Sequence, residues 1–294
     1  MNKKDINCSV CPRRCNVIRV GGRLGFCSVP EEMYISRIAL HEWEEPPISG
    51  TRGSGTVFFS GCNLRCVFCQ NQKISRSAAG RAYSEDELIG EMLRLESQGA
   101  HNINLVTPTH YAREIVKALE NARPKLHVPI VWNSGGYESV ETLKMLDGLV
   151  DVYLPDLKYF SPELSARYSS APDYFEVASE AICEMFRQVG EIKFDGDGLI
   201  KRGLIVRHLV LPSCRKDSIR IVEELAALLP VDKVRISIMR QFTPDFVDRG
   251  KYPELARRVT SFEYDSVVRR AHELGFKGYT QGADSASAKY TPDF

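Results

Sequence analysis

From residue 55 onward the sequence alternates short apolar runs with amphipathic helical segments, and this rhythm constrains the fold more than any other feature. The apolar runs occupy 55–60, 103–107, 129–133, 152–155, 204–211 and 234–239. Most are dense in Val, Ile and Leu with little strict alternation, as parallel strands covered on both faces are. Ser84-x-x-Glu87 forms a capping box, Leu88, Ile89, Met92 and Leu93 make the inner stripe behind it, and Gly99 stops that helix. Further stripes stand at Ile115, Val116 and Leu119; at Val140, Leu143 and Leu146; and at Ala178, Ile182, Met185 and Phe186. Two more helices carry Ile219, Val222, Leu225 and Leu229, then Val267, Val268 and Ala271 behind the box Thr260-x-x-Glu263. Six such units predict an α/β fold, a partial (β/α)6 barrel of the TIM type with right-handed crossovers. The segment at 278–282 is expected to add a short closing strand. In such barrels chemistry collects at the C-terminal ends of the strands, so the residues just after each run are the ones to read.

Directly after the first run stand Cys62, Cys66 and Cys69, spaced C-x3-C-x2-C, with no fourth cysteine nearby. A structural zinc site takes four ligands, usually as two short pairs. A ferredoxin run would carry another C-x2 step and a cysteine before proline. A disulfide framework calls for an even count and an oxidising setting. Three thiolates and a vacancy suit an iron–sulfur cube with one iron open to an outside ligand.

These three cysteines, with aromatic Phe68 just before the third, resemble the signature of the radical S-adenosylmethionine (SAM) superfamily. The resemblance implies a [4Fe-4S] cluster whose fourth iron is chelated by SAM, and a 5'-deoxyadenosyl radical that abstracts hydrogen from a substrate. The chain as a whole resembles the pyruvate formate-lyase activating enzyme-like group, in the branch with an N-terminal cysteine module. That likeness implies a glycyl radical enzyme as protein partner and a flavodoxin- or ferredoxin-type electron donor. Two other functions stay open: a radical SAM enzyme acting on a peptide or small molecule, and a non-catalytic iron–sulfur electron carrier.

Cys8, Cys11, Cys15 and Cys27 lie in a segment too small for its own core, with Gly21, Gly22 and Gly25 among them. They read as a metal-stapled module, and four thiolates satisfy zinc or an iron–sulfur cluster equally. The expected organisation is therefore a cysteine-rich module at 1–32, a connector at 33–54, the barrel at 55–284 and a tail at 285–294. Glu45-Pro46-Pro47 resists helix, so the connector is expected to run extended across the barrel. Its His41, Glu42, Glu44 and Glu45 read as a surface lock between module and barrel, or else as acid–base machinery.

Behind the second run stands Thr107-Pro108-Thr109-His110, where many members of the family carry a Gly-Gly-Glu motif that holds the SAM amino group. Thr107, Thr109 or His110 could fill that role here, and His110 equally suits capping the next helix. Asn133 and Ser134, before Gly135 and Gly136, are candidate SAM contacts after the third run. Asp156-Leu157-Lys158 resembles an Asp-x-Lys feature of the activating enzymes that borders SAM; a structural ion pair is the competing reading. His208, beside Arg207, is expected by the same likeness to face SAM, although a histidine in an apolar strand is commonly core. Gln241 and Phe242 are candidate adenine or substrate contacts, and Cys183 reads as an inert thiol on a helix stripe. The sequence assigns no catalytic residue.

Composition limits the partners. The 294 residues carry 39 basic and 38 acidic side chains for a net charge of +1, which gives no reason to expect nucleic acid. No apolar run reaches the ~18–20 residues of a membrane-spanning helix, and residues 1–7 are too polar for a signal peptide. The nine cysteines are thus expected to serve as metal ligands in a reducing cytoplasm.

Overall fold

A computed structural model of the chain describes residues 8–19 and 23–286. The expectations placed on residues 1–7, on Gly21 and Gly22, and on the tail at 287–294 lie outside the described residues.

In chain order the elements are β1 (Met33–His41), α1 (Pro46–Ser49), β2 (Ser54–Phe59), α2 (Gln72–Ser75), β3 (Arg81–Tyr83), α3 (Glu85–Ser97), β4 (Ile103–Val106) and α4 (Ala112–Ala122). There follow β5 (Ile130–Ser134), α5 (Val140–Lys144), β6 (Val152–Pro155), α6 (Pro162–Ser169), α7 (Tyr174–Val189), β7 (Lys193–Phe194) and β8 (Ile200–Leu209). The chain closes with α8 (Arg215–Leu228), β9 (Arg235–Met239), α9 (Ser261–Glu273) and β10 (Gly278–Thr280). The sheet order is β10-β9-β8-β6-β5-β4-β2-β1-β3. Every pairing from β2 through to β10 along that path is parallel, while β1 joins β2 and β3 antiparallel. This is the α/β fold with a mainly parallel, partial barrel-like sheet that the rhythm predicts, and β10 adds the expected short strand beside β9. Both predicted capping boxes form, at Ser84–Glu87 and Thr260–Glu263.

The connector departs from expectation. Residues 33–41 do not cross the barrel; they run extended along its edge, because β1 satisfies the backbone of β2 on one side and of β3 on the other. Only the stretch after His41 turns inward. There Ile48, on the one-turn helix α1, is fully buried against Val131, Val152, Leu154, Ile192, Ile200 and Ile205, plugging the lower lumen of the sheet. Asn102 fixes the plug, its side-chain N–H donating to the Ile48 carbonyl at 2.7 Å and its Oδ1 accepting from Ser54.

Strand alternation then sorts every side chain between lumen and helix layer. On β8, Ile205 packs with the plug whereas Leu204 and Val206 belong to the large outer core under the helices. Arg207 therefore faces the lumen and His208 faces the helix side. A run as uniformly apolar as 204–211 hides this phase, and His208, expected at the site, does not face the lumen. His208 Nδ1 instead donates to the Leu157 carbonyl at 2.7 Å, bracing the Asp156–Lys158 loop from behind.

Ile48→Ala should lower unfolding free energy by about 2–5 kcal/mol at unchanged m, read by urea titration; a loss below about 1 kcal/mol would mean the plug is not packed as described. Burial pushes His208 down to about 4 and His110 down to about 3, from an ordinary 6.5. Both rings are neutral in the fold, so below 6.5 the unfolded chain binds more protons, and stability present above 6.5 is lost as pH falls toward 4. His208→Gln should flatten that loss by up to about 1.4 kcal/mol per pH unit; parallel slopes for variant and parent would contradict it.

Candidate active site

The loop carrying Cys62, Cys66 and Cys69 follows β2 at its C-terminal end and lies over the upper mouth of the lumen. Arg65, between the first two cysteines, takes φ 55°, one of several left-handed residues that turn the chain back on itself. Cys66 is buried, and Cys62 and Cys69 are partly so. The three thiols are mutual neighbours. Loss of water pushes Cys62 up to about 12, with the adjacent Cys66 thiol adding to the shift, and the same two causes raise Cys69. In the absence of a cation Cys62 is thus a neutral thiol, and bound iron would supply the charge that makes it a ligand.

Donors already surround these sulfurs. The Leu64 N–H lies 3.3 Å from Cys62 Sγ, and Ser169 Oγ donates to Cys66 Sγ at 3.0 Å. Ser75 Oγ is buried beside Cys69 with no hydrogen-bond partner of its own, placed to donate to a thiolate. Among the described residues no three His, Cys, Asp or Glu side chains close on a point that would hold one metal ion. The donor set nonetheless fits three anionic sulfurs sharing a polynuclear cluster.

Below the loop lies a cavity of about 220 Å³ lined by Cys66, Cys69, Phe68, Asn133, Asp156 and Lys158 among others. Of the residues singled out as SAM contacts, Phe68, Asn133, Asp156 and Lys158 thus meet in one place. Tyr174 holds the two loops that bring them there, its hydroxyl within 2.8 Å of the Gly135 and Asp156 carbonyls. Gly136, at φ 76°, is needed for this: a Cβ there would sit 2.1 Å from the Asp156 carbonyl oxygen.

Thr107, Thr109, Ser134 and His208 are placed elsewhere. Thr107 takes a left-handed turn at φ 57° and its N–H donates to the Asn133 carbonyl. Thr109 donates to the buried carboxylate of Glu138 at 2.9 Å, which also accepts from Trp132 Nε1 at 3.0 Å. Ser134 points to that same outer side, its hydroxyl accepting from the Gly136 N–H. His110 caps nothing; its Nε2 contacts the Ser60 carbonyl at 2.7 Å.

In their place the structure brings in Glu44 and Arg207. Arg207 donates to Asp156 at 2.9 Å, to Glu44 at 3.2 Å and to Asn133 Oδ1 at 2.6 Å. Glu44 further accepts from Asn104 and Asn133 at 3.2 and 3.1 Å. It comes from the connector and belongs to the lumen, so the surface-lock reading of that acidic stretch is wrong for Glu44 and for the buried Glu45. Burial raises Glu44 against the pull of Arg207. Burial alone would raise Asp156 too, but Arg207 and Lys158 outweigh it and hold Asp156 below the ordinary carboxylate range. Nothing in the sequence sets Glu44 apart from its acidic neighbours as a lumen residue, since its position depends on the plug. His41, Trp43, Gln70, Asn71, Met239 and Gln241 also line the cavity.

The N-terminal cysteines are gathered as well. Cys8, Cys15 and Cys27 all act on the Cys11 thiol, which burial first and then these neighbours push up to about 12. This module leans on the cluster loop: Arg13 donates to the carbonyls of Asn63 at 2.8 Å, of Ser169 at 2.9 Å and of Ser170.

Comparison with known proteins agrees with this geometry. The radical SAM superfamily model matches residues 56–195. An uncharacterized protein of Methanocaldococcus jannaschii is 30% identical over 280 residues, covering 91% of this chain and 75% of that protein. Among solved structures, a spore photoproduct lyase variant superposes with TM-score 0.54 at 12% identity, over 76% of this chain and 74% of that one. SuiB of Streptococcus suis bound to S-adenosylmethionine gives TM-score 0.51 at 13% identity, over 79% of this chain and 51% of that one. At those identities the two structures speak for the fold alone. Among the described residues no helix is long and apolar enough to cross a membrane. By the match of the superfamily model, the chain belongs to the radical SAM superfamily, enzymes that generate a 5'-deoxyadenosyl radical from SAM at a [4Fe-4S] cluster.

Proposed function

We propose that Cys62, Cys66 and Cys69 ligate the [4Fe-4S] cluster and that SAM occupies the cavity below them, for hydrogen abstraction of the glycyl-radical-activating kind. The observation that carries the reading is the meeting of Cys66, Cys69, Asp156 and Lys158 on one cavity at the strand ends. When bound, the cluster and SAM supply one electron and a carbon-centred radical for hydrogen abstraction.

The chain's own residues do the rest. Lys158 shares the cavity with Cys66 and Cys69 and its charge favours their anionic form, so it is placed for a carboxylate bound beside them. Asp156 stays ionised and offers an acceptor to hydroxyl groups. Arg207, held by three partners, does not swing, so the polar floor is fixed before a ligand arrives. Phe58, Phe68, Leu209 and Met239 make apolar wall that excludes water from a reactive radical.

The Asp156-x-Lys158 pair in this wall supports the activating-enzyme reading, with a protein glycine as hydrogen donor and a flavodoxin- or ferredoxin-type protein as electron source. The four N-terminal thiols are proposed to hold a second metal, zinc or iron–sulfur, in a module at 1–32 joined through 33–54 to the barrel at 55–284. In that module Gly25 leaves room for the Cys15 sulfur, 3.2 Å from where a Cβ would stand.

On anaerobically reconstituted, reduced protein, Cys62→Ala, Cys66→Ala and Cys69→Ala should each cut 5'-deoxyadenosine release by more than about 100-fold, beyond what loss of a supporting residue costs. Cys183→Ala, on the half-buried side of α7, should match the parent. Release at the parent rate from all three ligand variants would overturn the ligand assignment.

A further inference from the structure

The last turn of α6 is built onto the cluster loop. Val67 N–H donates to the Tyr168 carbonyl at 2.9 Å, and the next residue, Ser169, turns its fully buried hydroxyl onto Cys66 Sγ at 3.0 Å. The Tyr159 hydroxyl lies 2.8 Å from Ser169 Oγ. Because the serine proton is directed at sulfur, the tyrosine proton is the one that closes this second contact, which leaves a two-step chain of donors ending on one thiol. Tyr159 itself is buried among Phe68, Tyr168 and Tyr174, at ring distances of 6.4, 6.3 and 5.4 Å, so neither hydroxyl can turn to water.

The same turn is clamped from the other side by the N-terminal module. Arg13 stands between Cys11 and Cys15 and reaches the Asn63 carbonyl of the cluster loop and the carbonyls of Ser169 and Ser170. Its guanidinium is stacked on Phe26 at 3.9 Å, which fixes its aim. Ser170 accepts the strain of a left-handed residue, φ 51°, where the helix ends at this clamp.

We propose that Tyr159 and Ser169 are positioning residues that set the reduction potential of the cluster through Cys66, and that Arg13 couples the cysteine module to that potential by holding Ser169 in place. The inference rests on Cys66 being a cluster ligand, as proposed above. Hydrogen bonds to cluster sulfurs favour the more negative, reduced state and so raise the potential. The step concerned is the addition of one electron to the cluster with no proton transferred.

The test is a dithionite titration of anaerobically reconstituted protein, followed by electron paramagnetic resonance. At the potential where half the parent cluster is reduced, Ser169→Ala should lower the reduced-to-oxidised ratio roughly three- to tenfold, the worth of one net hydrogen bond. Ser169→Thr, which keeps the hydroxyl, should stay near the parent, and Tyr159→Phe and Arg13→Gln should shift in the direction of Ser169→Ala by less. A Ser169→Ala protein with the parent's iron content and an unmoved potential would overturn the inference. Should that variant not assemble a cluster, unmoved potentials in both Tyr159→Phe and Arg13→Gln would overturn it equally. A parent protein that takes up no cluster at all would instead sink the ligand assignment beneath it.

Discussion

Three sulfurs held together away from water are the constraint on which this structure depends. Withdrawal of solvent raises Cys62 to about 12 and raises Cys69, and each neighbouring thiol makes a further anion harder to form. Such a loop is at rest only when cations neutralise it, so the fold prepares donors in advance. Leu64 N–H, Ser169 and the otherwise unpartnered Ser75 face the three sulfurs, and Lys158 adds a positive charge from across the cavity. The loop follows β2 and is backed by α6, so its position is fixed by the central sheet on one side and by a helix end on the other.

The lumen answers the same need from below. Glu44, Arg207, Asp156 and Lys158 alternate in sign along one wall, and each opposite pair is in contact. A partly buried charge without a partner would be costly; alternating charges that also bond Asn104 and Asn133 offset that cost. Glu44 arrives from outside the stretch that matches the superfamily model, carried in by the segment that also inserts Ile48. The chain thus builds the floor of its active site partly from its own N-terminal connector. Trp43, 60% exposed on that connector, stands at the edge of the same cavity.

Much of this was legible in the sequence, because each legible feature is set by local spacing. The six apolar runs all became strands, Ser84–Glu87 and Thr260–Glu263 became capping boxes, and the cysteine loop lay after the first parallel strand. Asn133, Asp156 and Lys158 reached the cavity because strand ends put them there. What stayed hidden depends on partners far away in sequence. Phase within a uniformly apolar strand cannot be read, so His208 was expected on the face that Arg207 takes. Thr109 and Ser134 were drawn outward toward Glu138, whose burial no local pattern announces. Glu44 read more readily as surface because its burial is created by a plug that exists only in the folded sheet, and nothing local in the sequence marks Ser169.

Everything proposed for this protein rests on the three-cysteine loop holding an iron–sulfur cluster with one position open to SAM. The most direct measurement is electron paramagnetic resonance of the reduced, anaerobically reconstituted protein with and without SAM, alongside an assay for 5'-deoxyadenosine. The expected result is a spectrum that changes on addition of SAM, with release of the nucleoside. A reduced cluster whose spectrum ignores SAM, with no nucleoside formed, would contradict it and favour an electron carrier.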